Sequence, residues 1–275
     1  MKLRFSILIG VAMLAHIGLA VEAPKPVTKD LSKGGTVLLI GDSIFALHDG
    51  DKRLEAVLKG VLDKKLPQEK WSVSNQARGG EYIGPKEGDP QGTAGPLFTD
   101  EKSGRYFDVL KKCPQADAVV INYGANDGKV YALAVFRKRL EFLCAQLERD
   151  YPGCVIVFST GMYLDPKHSA GYWIDNPKAP GFKNGSSRNE YLAGYIEEAR
   201  GLAAARGYLV ADVRKRMIEE TAKGNWDFRI RVGNADPKDD PKHEGDMDWF
   251  NDIHPNDRGT ALIAETIADV LAARK

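Results

Sequence analysis

The sequence predicts an α/β fold of three layers, in which a five-stranded parallel sheet is covered by helices on both faces. The run at residues 36–40 is apolar at successive positions, which is typical of a strand buried on both faces, and four similar runs follow it. Helical patterns separate these runs, and repeated alternation of strands and helices indicates a parallel sheet. The predicted strands are residues 36–40, 71–75, 118–123, 155–160 and 208–213.

Four segments between or after these strands carry apolar residues at helical spacing. In the first of them, Leu54, Leu58 and Leu62 recur every fourth residue and define one apolar face. Each such face can cover one side of the sheet. The predicted helices are residues 52–65, 130–149, 188–206 and 257–274.

Three stretches interrupt the alternation. Residues 80–104 are rich in Gly and Pro, whereas residues 162–187 and 224–250 are polar, aromatic and rich in Pro. Loops this long inside a compact domain are usually functional. The third stretch ends just before His254, so we expect it to wall the pocket around that histidine.

The N-terminal residues predict a signal peptide. Lys2 and Arg4 precede an apolar run over residues 5–19, and Ala20 and Ala23 offer two cleavage positions. The run is shorter than the roughly 20 residues that span a bilayer. We therefore expect a secreted or periplasmic protein with no stable membrane insertion after cleavage. An uncleaved membrane anchor is the alternative.

The remainder of the chain is predicted to be one domain. Residues 1–23 form the signal peptide and cleavage region, and residues 24–275 form a single domain, because α/β domains often exceed the usual domain size. The formal net charge of the chain is only +1. A nearly neutral chain lacks the electrostatic footprint of a nucleic-acid-binding protein. We expect no nucleic-acid partner.

Cys113, Cys144 and Cys154 are too few cysteines for a disulfide scaffold. Because their number is odd, at least one thiol stays free. A Cys144–Cys154 bridge, a Cys113–Cys154 bridge and three small buried apolar residues without a bridge are the open alternatives.

Chemically useful residues stand next to the ends of predicted elements. Ser43 follows the first predicted strand, Gly80 the second and Asn126 the third, while His254 precedes the last helix. The carboxyl ends of parallel strands meet at one edge of the sheet, where ligands bind. We therefore expect Ser43, Gly80 and Asn126 to lie together at that edge.

These residue types suit acyl transfer. A serine hydroxyl is a weak nucleophile that needs a base within hydrogen-bond reach, and His254 can supply that base. Acyl transfer also needs donors aimed at the developing oxyanion. The backbone N–H groups of Ser43 and Gly80 and the side-chain amide of Asn126 make a set of three donors. A glycine leaves the backbone open to the substrate.

Four motifs, in this order, resemble those of the SGNH hydrolases, also called the GDSL esterase family. Each stands at the end of a predicted element, and together they are far more specific than Gly-Asp-Ser alone. The resemblance extends over residues 36–274. The motifs are Gly-Asp-Ser at residues 41–43, Asn75 followed by Gly80, Gly-Ala-Asn-Asp at residues 124–127, and His-Pro at residues 254–255.

The resemblance implies a flavodoxin-like fold and a serine hydrolase site. It implies that Ser43 is the nucleophile and that His254 is the general base. It further implies that the oxyanion donors are Ser43, Gly80 and Asn126.

One position departs from the family pattern. The family usually places an Asp three residues before the histidine, where this chain has Asn251. A neutral amide can hold the imidazole tautomer but cannot stabilise an imidazolium by charge. We favour Asp252 as the residue that orients His254, through an altered turn. A Ser–His dyad helped by Asn251 or a backbone carbonyl is the alternative, and Asp248 is a weaker candidate.

Each motif also has a non-catalytic interpretation. Gly-Asp-Ser can be a phosphate-binding turn for FMN, but the chain lacks the Ser/Thr-rich phosphate loop. Asn126 alone can be a turn residue, and His254 alone can cap the last helix. His48, His168 and His243 have no metal-ligand spacing, and neither a Walker loop nor a Gly-x-Ser-x-Gly elbow is present. We expect no metal and no cofactor.

The expected reaction is hydrolysis of O-acyl esters, with O-acetyl esters of carbohydrate favoured. The chain carries an export signal, and its loops contain no long apolar stretch to shelter an acyl chain. Arg78, Tyr82 and Lys129 flank the presumed site and could orient a charged sugar. Aromatic residues that could hold a sugar face lie in the polar loops: Tyr163, Tyr172, Trp173, Trp226 and Trp249.

Two other functions stay open. The same site could perform lipolytic or thioesterase chemistry on a small-molecule ester. The absence of an Asp at position 251 favours a non-catalytic polysaccharide-binding module, whereas the intact serine, glycine, asparagine and histidine favour an enzyme.

Overall fold

A five-stranded parallel sheet forms the centre of the molecule, which confirms the predicted fold class. The computed structural model describes residues 29–46, 50, 53–84, 95–164, 188–230 and 253–274. The strands are β1 (Gly34–Gly41), β2 (Lys70–Asn75), β3 (Glu81–Tyr82), β4 (Gly95–Pro96), β5 (Ala118–Asn122), β6 (Val155–Ser159) and β7 (Leu209–Ala211). The central sheet has the order β2-β1-β5-β6-β7, and β3 pairs only with β4.

Strand β1 lies near the middle of the sheet because both of its faces are apolar. Val37 and Leu39 join the hydrophobic cluster on one face of the sheet, and Leu38 and Ile40 join the cluster on the other. All four side chains are fully buried. Alternate side chains of a strand point to opposite faces, so a continuous apolar run serves two cores at once.

Helices cover both faces and complete the three layers. Apolar residues of α2, α6 and α7 belong to the cluster of Val37 and Leu39, and those of α3, α4 and α5 belong to the cluster of Leu38 and Ile40. The helices are α1 (Ser43–Ala46), α2 (Leu54–Lys65), α3 (Tyr106–Lys112), α4 (Leu133–Asp150), α5 (Arg188–Arg206), α6 (Val213–Ala222) and α7 (Asp257–Ala272).

The predicted elements differ from the observed ones in several places. Helix α4 begins at Leu133 rather than at residue 130, because a 3₁₀ turn over Asp127–Lys129 precedes it. Strand β7 ends at Ala211, because Asp212 caps α6 by accepting a hydrogen bond from the Lys215 amide. Helices α3 and α6 were not predicted. Each buries only two side chains of its own, which leaves little helical periodicity to detect.

The three cysteines are buried free thiols. Burial raises the pKa of the Cys154 thiol to about 12. The structure therefore favours the interpretation in which the three residues pack as small apolar side chains. In the described part of the chain, no helix is long and apolar enough to cross a membrane. The predicted signal peptide lies outside the described residues.

Candidate active site

The carboxyl ends of β1, β2 and β5 bring three of the predicted site residues to one edge of the sheet. Neighbouring strands run parallel and in register, with Leu39 opposite Asn75 and Gly41 opposite Asn122. The three strands thus end side by side. The loops that follow them carry Ser43, Gly80 and Asn126.

Ser43 is placed by a tight turn at the end of β1. A side chain at Gly41 would come within 2.5 Å of the Asn122 carbonyl oxygen, so the close approach of β1 and β5 requires glycine there. The buried carboxylate of Asp42 accepts hydrogen bonds from the Ile44 amide at 3.0 Å and from the Asn122 side chain at 3.2 Å. Asp42 therefore supports the turn, and Ser43 begins α1 directly above the sheet edge.

His254 reaches Ser43 from a segment 211 positions away in the chain. Its Nε2 atom lies 2.8 Å from the Ser43 hydroxyl oxygen. The histidine carbonyl accepts a hydrogen bond from the Ile230 amide at 3.0 Å. Asn256 caps α7 through the Gly259 amide at 2.9 Å, and its own amide donates to the Arg229 carbonyl at 3.0 Å. The backbone of Arg229 and Ile230 thus anchors the segment that carries the histidine. Most of the loop that was expected to wall the pocket lies outside the described residues.

The pairing of Ser43 with His254 can activate the hydroxyl. A neutral imidazole whose Nε2 accepts from Ser43 can take the proton when the oxygen attacks a carbonyl. Since Nε2 faces Ser43, an orienting group would act on Nδ1. The three candidates for that role, Asp252, Asn251 and Asp248, lie outside the described residues.

A glycine turn packs against Ser43 on the side of β2. A methyl group added to Gly79 would lie 3.8 Å from the Ser43 Cβ, so the turn is close to the nucleophile. Gly80 has a φ of +72°, a left-handed conformation that favours glycine. The Glu81 amide donates to the Arg78 carbonyl at 3.1 Å and closes the turn. The turn that contains Gly80 therefore lies next to the Ser43 side chain.

The Asn126 side chain is buried and is held from two sides. Its Nδ2 donates to the Glu81 carbonyl at 3.3 Å, and its Oδ1 accepts from the Lys129 ammonium at 3.1 Å. An amide nitrogen carries two hydrogens, so one stays available for a substrate oxygen. The bond to Glu81 ties Asn126 to the residue that follows Gly80. The two predicted oxyanion donors are thereby linked.

A buried ionic network supports this part of the site. The Glu81 side chain is fully buried and forms a two-pronged ion pair with Arg105, whose Nη2 lies 2.6 Å from Glu81 Oε1. The Tyr123 hydroxyl donates to the same carboxylate oxygen at 2.6 Å, and Arg105 also donates to the Gln76 carbonyl at 2.7 Å. Burial raises the pKa of the Glu81 carboxyl, and the hydrogen bonds from Arg105 and Tyr123 oppose that shift.

Sequence reasoning missed this network. Glu81 follows Gly80 directly, but Arg105 comes 24 residues later, just after the stretch of residues 80–104 and outside every predicted helix and strand. No local spacing signals such a pair. The network joins the loop after β2 to the loop after β5, so it positions Gly80 relative to Asn126.

Asp127 also connects the loop after β2 to the loop after β5, through hydrogen bonds in the protein interior. Its carboxylate is fully buried and accepts hydrogen bonds from the Ile83 amide at 2.9 Å and the Gly124 amide at 3.0 Å. Burial raises the pKa of Asp127 to about 7, and the nearby Asp42 adds to the shift. The carboxylate is therefore desolvated, and its two hydrogen bonds hold the backbone on either side of the site.

A small apolar cavity of about 30 Å³ lies behind Ser43. Asp42 and Ile44, the neighbours of Ser43 on each side, line it together with Ile253, the residue before His254. Leu192 and Ile196 of α5 close the far side. The cavity is thus lined by the chain neighbours of the two reacting residues, and most of its surface is hydrocarbon.

The other predicted contact residues take different positions. The Tyr82 side chain is buried against Tyr131, with ring centroids 6.1 Å apart. The prediction that this side chain could orient a sugar was therefore wrong. Tyr163 lies under the Arg214 guanidinium at 5.4 Å, and Trp226 is partly exposed. Tyr172, Trp173 and Trp249 lie outside the described residues. Among the residues that are described, no group of three or more His, Cys, Asp or Glu is arranged to hold a metal ion.

Comparisons with known proteins agree with this geometry. Residues 39–262 match the family model described as the GDSL-like lipase/acylhydrolase family. An α/β hydrolase enzyme, LAE5, from the metagenome of Lake Arreo in Spain has a similar structure, with a TM-score of 0.57, 16% identity, and 88% of this chain and 97% of that chain covered. An acetyl xylan esterase, AlAXEase, superposes with a TM-score of 0.54 at 18% identity, covering 84% of this chain and 97% of its own.

The structure of TesA is a third similar fold, with a TM-score of 0.50, 18% identity, and 87% of this chain and 99% of that chain covered. A search of curated proteins finds no match. At these identities the solved structures support the fold, while the family match covers most of the chain.

Proposed function

The chain belongs to the GDSL-like lipase/acylhydrolase family, and on that premise we propose that it is an exported serine esterase that removes O-acetyl groups from carbohydrate. The observation that carries the proposal is the 2.8 Å contact between the Ser43 hydroxyl and His254 Nε2. This contact lies at the sheet edge where the loops that carry Gly80 and Asn126 also lie, and we assign the oxyanion donors to these two residues and to the Ser43 amide. A nucleophile, a base and an oxyanion site are the parts that acyl transfer requires.

In the proposed mechanism, His254 takes the proton of Ser43 as the serine oxygen attacks the ester carbonyl. The oxyanion of the tetrahedral intermediate is stabilised by the backbone N–H groups of Ser43 and Gly80 and by the Asn126 amide. The C–O bond to the sugar then breaks, and the departing alcohol receives the proton from His254. Water attacks the acyl-enzyme by the same route, releasing acetate and restoring Ser43.

We assign the orientation of His254 to Asp252, with Asn251 as the alternative. A carboxylate at Nδ1 fixes the tautomer and stabilises the imidazolium that forms in each step. Asp252 is the acidic residue nearest to His254 on its N-terminal side. The assignment rests on the sequence.

The size of the cavity beside Ser43 supports a short acyl group. A volume of about 30 Å³ is enough for a group of about the size of one or two water molecules. A methyl group fits within such a space, whereas a long acyl chain does not. Ile44, Leu192 and Ile253 would contact the acetyl methyl group.

A carbohydrate substrate is supported by three further features. The chain begins with a predicted signal peptide, and exported enzymes meet extracellular polysaccharides. Its fold is similar to that of an acetyl xylan esterase. In the described loops, Tyr163 and Trp226 are aromatic side chains that can pack against a sugar face.

The test is acetate release by the purified protein from acetylated xylan, beside p-nitrophenyl acetate and p-nitrophenyl palmitate. Ser43→Ala is the inactive control, and Ser72→Ala, on the exposed part of β2, is the matched active control. We expect turnover of both acetyl esters and none of the palmitate. Faster hydrolysis of the palmitate than of the acetyl esters would contradict the proposal and indicate a lipolytic enzyme. Polysaccharide binding without any turnover would replace it with a binding module.

A further inference from the structure

A second, larger cleft opens next to the candidate active site. Its volume is about 510 Å³. One wall is the chain that follows β2, including Gln76 and Arg78, and the other wall is α3 with the preceding Arg105, contributing Asp108 and Lys112. Arg105 and the Gln76 carbonyl belong to the network that supports the oxyanion loops, whereas Arg78, Asp108 and Lys112 have no role in the proposed chemistry.

The cleft is continuous with the loop that carries the oxyanion donor. Arg78 is two residues before Gly80, and two residues span at most roughly 7 Å. The Arg78 amide donates to the Gly41 carbonyl at 2.9 Å, which fixes this part of the loop to the end of β1. The cleft therefore begins within about two residues of the presumed oxyanion donor Gly80, at the distance where a sugar next to the esterified one would lie.

Positive charge dominates the cleft. Arg78, Arg105 and Lys112 line it, against a single lining carboxylate, Asp108. Asp108 is paired with Lys111 at 3.2 Å, so its charge is already matched by a cation that does not line the cleft.

The three cations that line the cleft differ in how many of their hydrogen-bond donors are already used. Arg105 uses Nε and Nη2 on Glu81 and Gln76, which leaves its Nη1 group for another acceptor. The exposed side chains of Arg78 and Lys112 form no ion pair with any described residue, although the charge of Arg78 acts on the Glu81 carboxyl through space. The guanidinium fork matches planar carboxylates and phosphates, and an ammonium adds a point charge.

We propose that this cleft is a subsite for an anionic substituent of the carbohydrate, a carboxylate or a phosphate group, one sugar away from the acetyl ester. The proposal rests on the proposed function, which supplies the carbohydrate. It makes the enzyme selective for acidic over neutral acetylated polysaccharide. Arg78 and Lys112 contact the anion, and Arg105 contributes its remaining N–H groups.

The kinetic test compares acetylated xylo-oligosaccharides with and without glucuronic acid substituents. The double variant Arg78→Gln/Lys112→Gln removes both free cations. We expect the ratio of kcat/KM for the acidic substrate to kcat/KM for the neutral one to fall at least tenfold in low salt. Lys64→Gln, an exposed lysine on α2 at the opposite face of the sheet, is the matched control and should leave the ratio unchanged. An unaltered ratio in the double variant overturns the subsite.

A binding experiment tests the subsite independently of ester hydrolysis. Isothermal titration of Ser43→Ala with deacetylated oligosaccharides, either neutral, glucuronate-bearing or phosphate-bearing, needs no turnover. Tighter binding of an anionic ligand, lost in the triple variant that adds Arg78→Gln/Lys112→Gln, supports the subsite even if the wild type hydrolyses no ester. The tighter of the two anionic ligands identifies the anion. Equal binding of all three ligands overturns the subsite, whatever the fate of the esterase proposal.

Discussion

The carboxylate of Glu81 is fully buried and is held by the guanidinium of Arg105, with Nη2 lying 2.6 Å from Oε1. The backbone carbonyl of Glu81 accepts the Asn126 side-chain amide at 3.3 Å. One residue thus links the ion pair to an oxyanion donor on one side and to Gly80 on the other.

Replacing Glu81 by Gln is expected to destabilise the fold and to slow the reaction. Arg105 would keep its charge in a half-buried place without a carboxylate, and breaking a buried pair by removing one partner typically costs about 3–5 kcal/mol. Urea unfolding measures that loss. Glu101→Gln, at an exposed position, should change the free energy of unfolding by less than about 0.5 kcal/mol.

The same ion pair can be tested with a double-mutant cycle. Glu81→Gln/Arg105→Met removes both charges, so it should recover part of the stability lost in Glu81→Gln. Purely additive losses in the double variant would show that the two side chains do not interact energetically.

Asn126→Ala is expected to lower kcat by about 100- to 1000-fold, with a smaller effect on KM. The reason is that an oxyanion donor is stronger in the transition state than in the substrate complex. Steady-state kinetics on p-nitrophenyl acetate provides the measurement, and near-UV circular dichroism checks that the buried site stays folded. Asn225→Ala, an exposed asparagine, is the control. A rise in KM at constant kcat would assign Asn126 to substrate binding instead.

Asp252→Ala is expected to lower kcat by about 10⁴-fold if its carboxylate orients His254, because the imidazole then has no group that fixes its tautomer and stabilises the imidazolium. Asn251→Ala should have a much smaller effect. Acetate release by the two variants under identical conditions decides between them. The reverse order of effects would give the role to Asn251.

The stability of the protein is expected to depend on pH through Asp127. In the folded state its pKa is about 7, against an ordinary value of 3.8. Between about pH 4 and pH 7 the folded state therefore binds more protons than the unfolded chain. Stability must then decrease as the pH rises through this window, by up to about 1.4 kcal/mol per pH unit for one proton.

Urea unfolding of the wild type and of Asp127→Asn at pH 5, 6, 7 and 8 tests this contribution. The asparagine does not titrate, so its stability relative to the wild type should increase between pH 5 and pH 7 and then level off. Other groups that titrate, such as Glu81, contribute equally to both proteins and cancel. A difference between the two proteins that is constant over this range would contradict the raised pKa.

Much of the fold could be predicted because it rests on local patterns. All five strands of the central sheet were identified within two residues at each end. Strands β1, β5 and β6 are buried along most of their length and are therefore apolar at nearly every position. The same reasoning failed for α3, in which only Tyr106 and Val109 are buried. A helix of two turns with two buried side chains produces almost no periodic signal.

The residues of the site divide in the same way. The order of the motifs along the chain and their positions at strand ends were enough to select Ser43, Gly80, Asn126 and His254 and to expect the first three at one sheet edge. Their chemistry follows from residue type, which is a property of the sequence itself.

Only the tertiary structure decided which atoms meet. It brought His254 Nε2 to the Ser43 hydroxyl across 211 positions, paired Glu81 with Arg105, and buried Tyr82 away from the site. It also placed Arg78 and Lys112 on the two walls of one cleft. Contacts between distant segments depend on how the layers pack and on which charges can be solvated. No fixed spacing along the sequence corresponds to such a contact, so its atoms cannot be identified from the sequence alone.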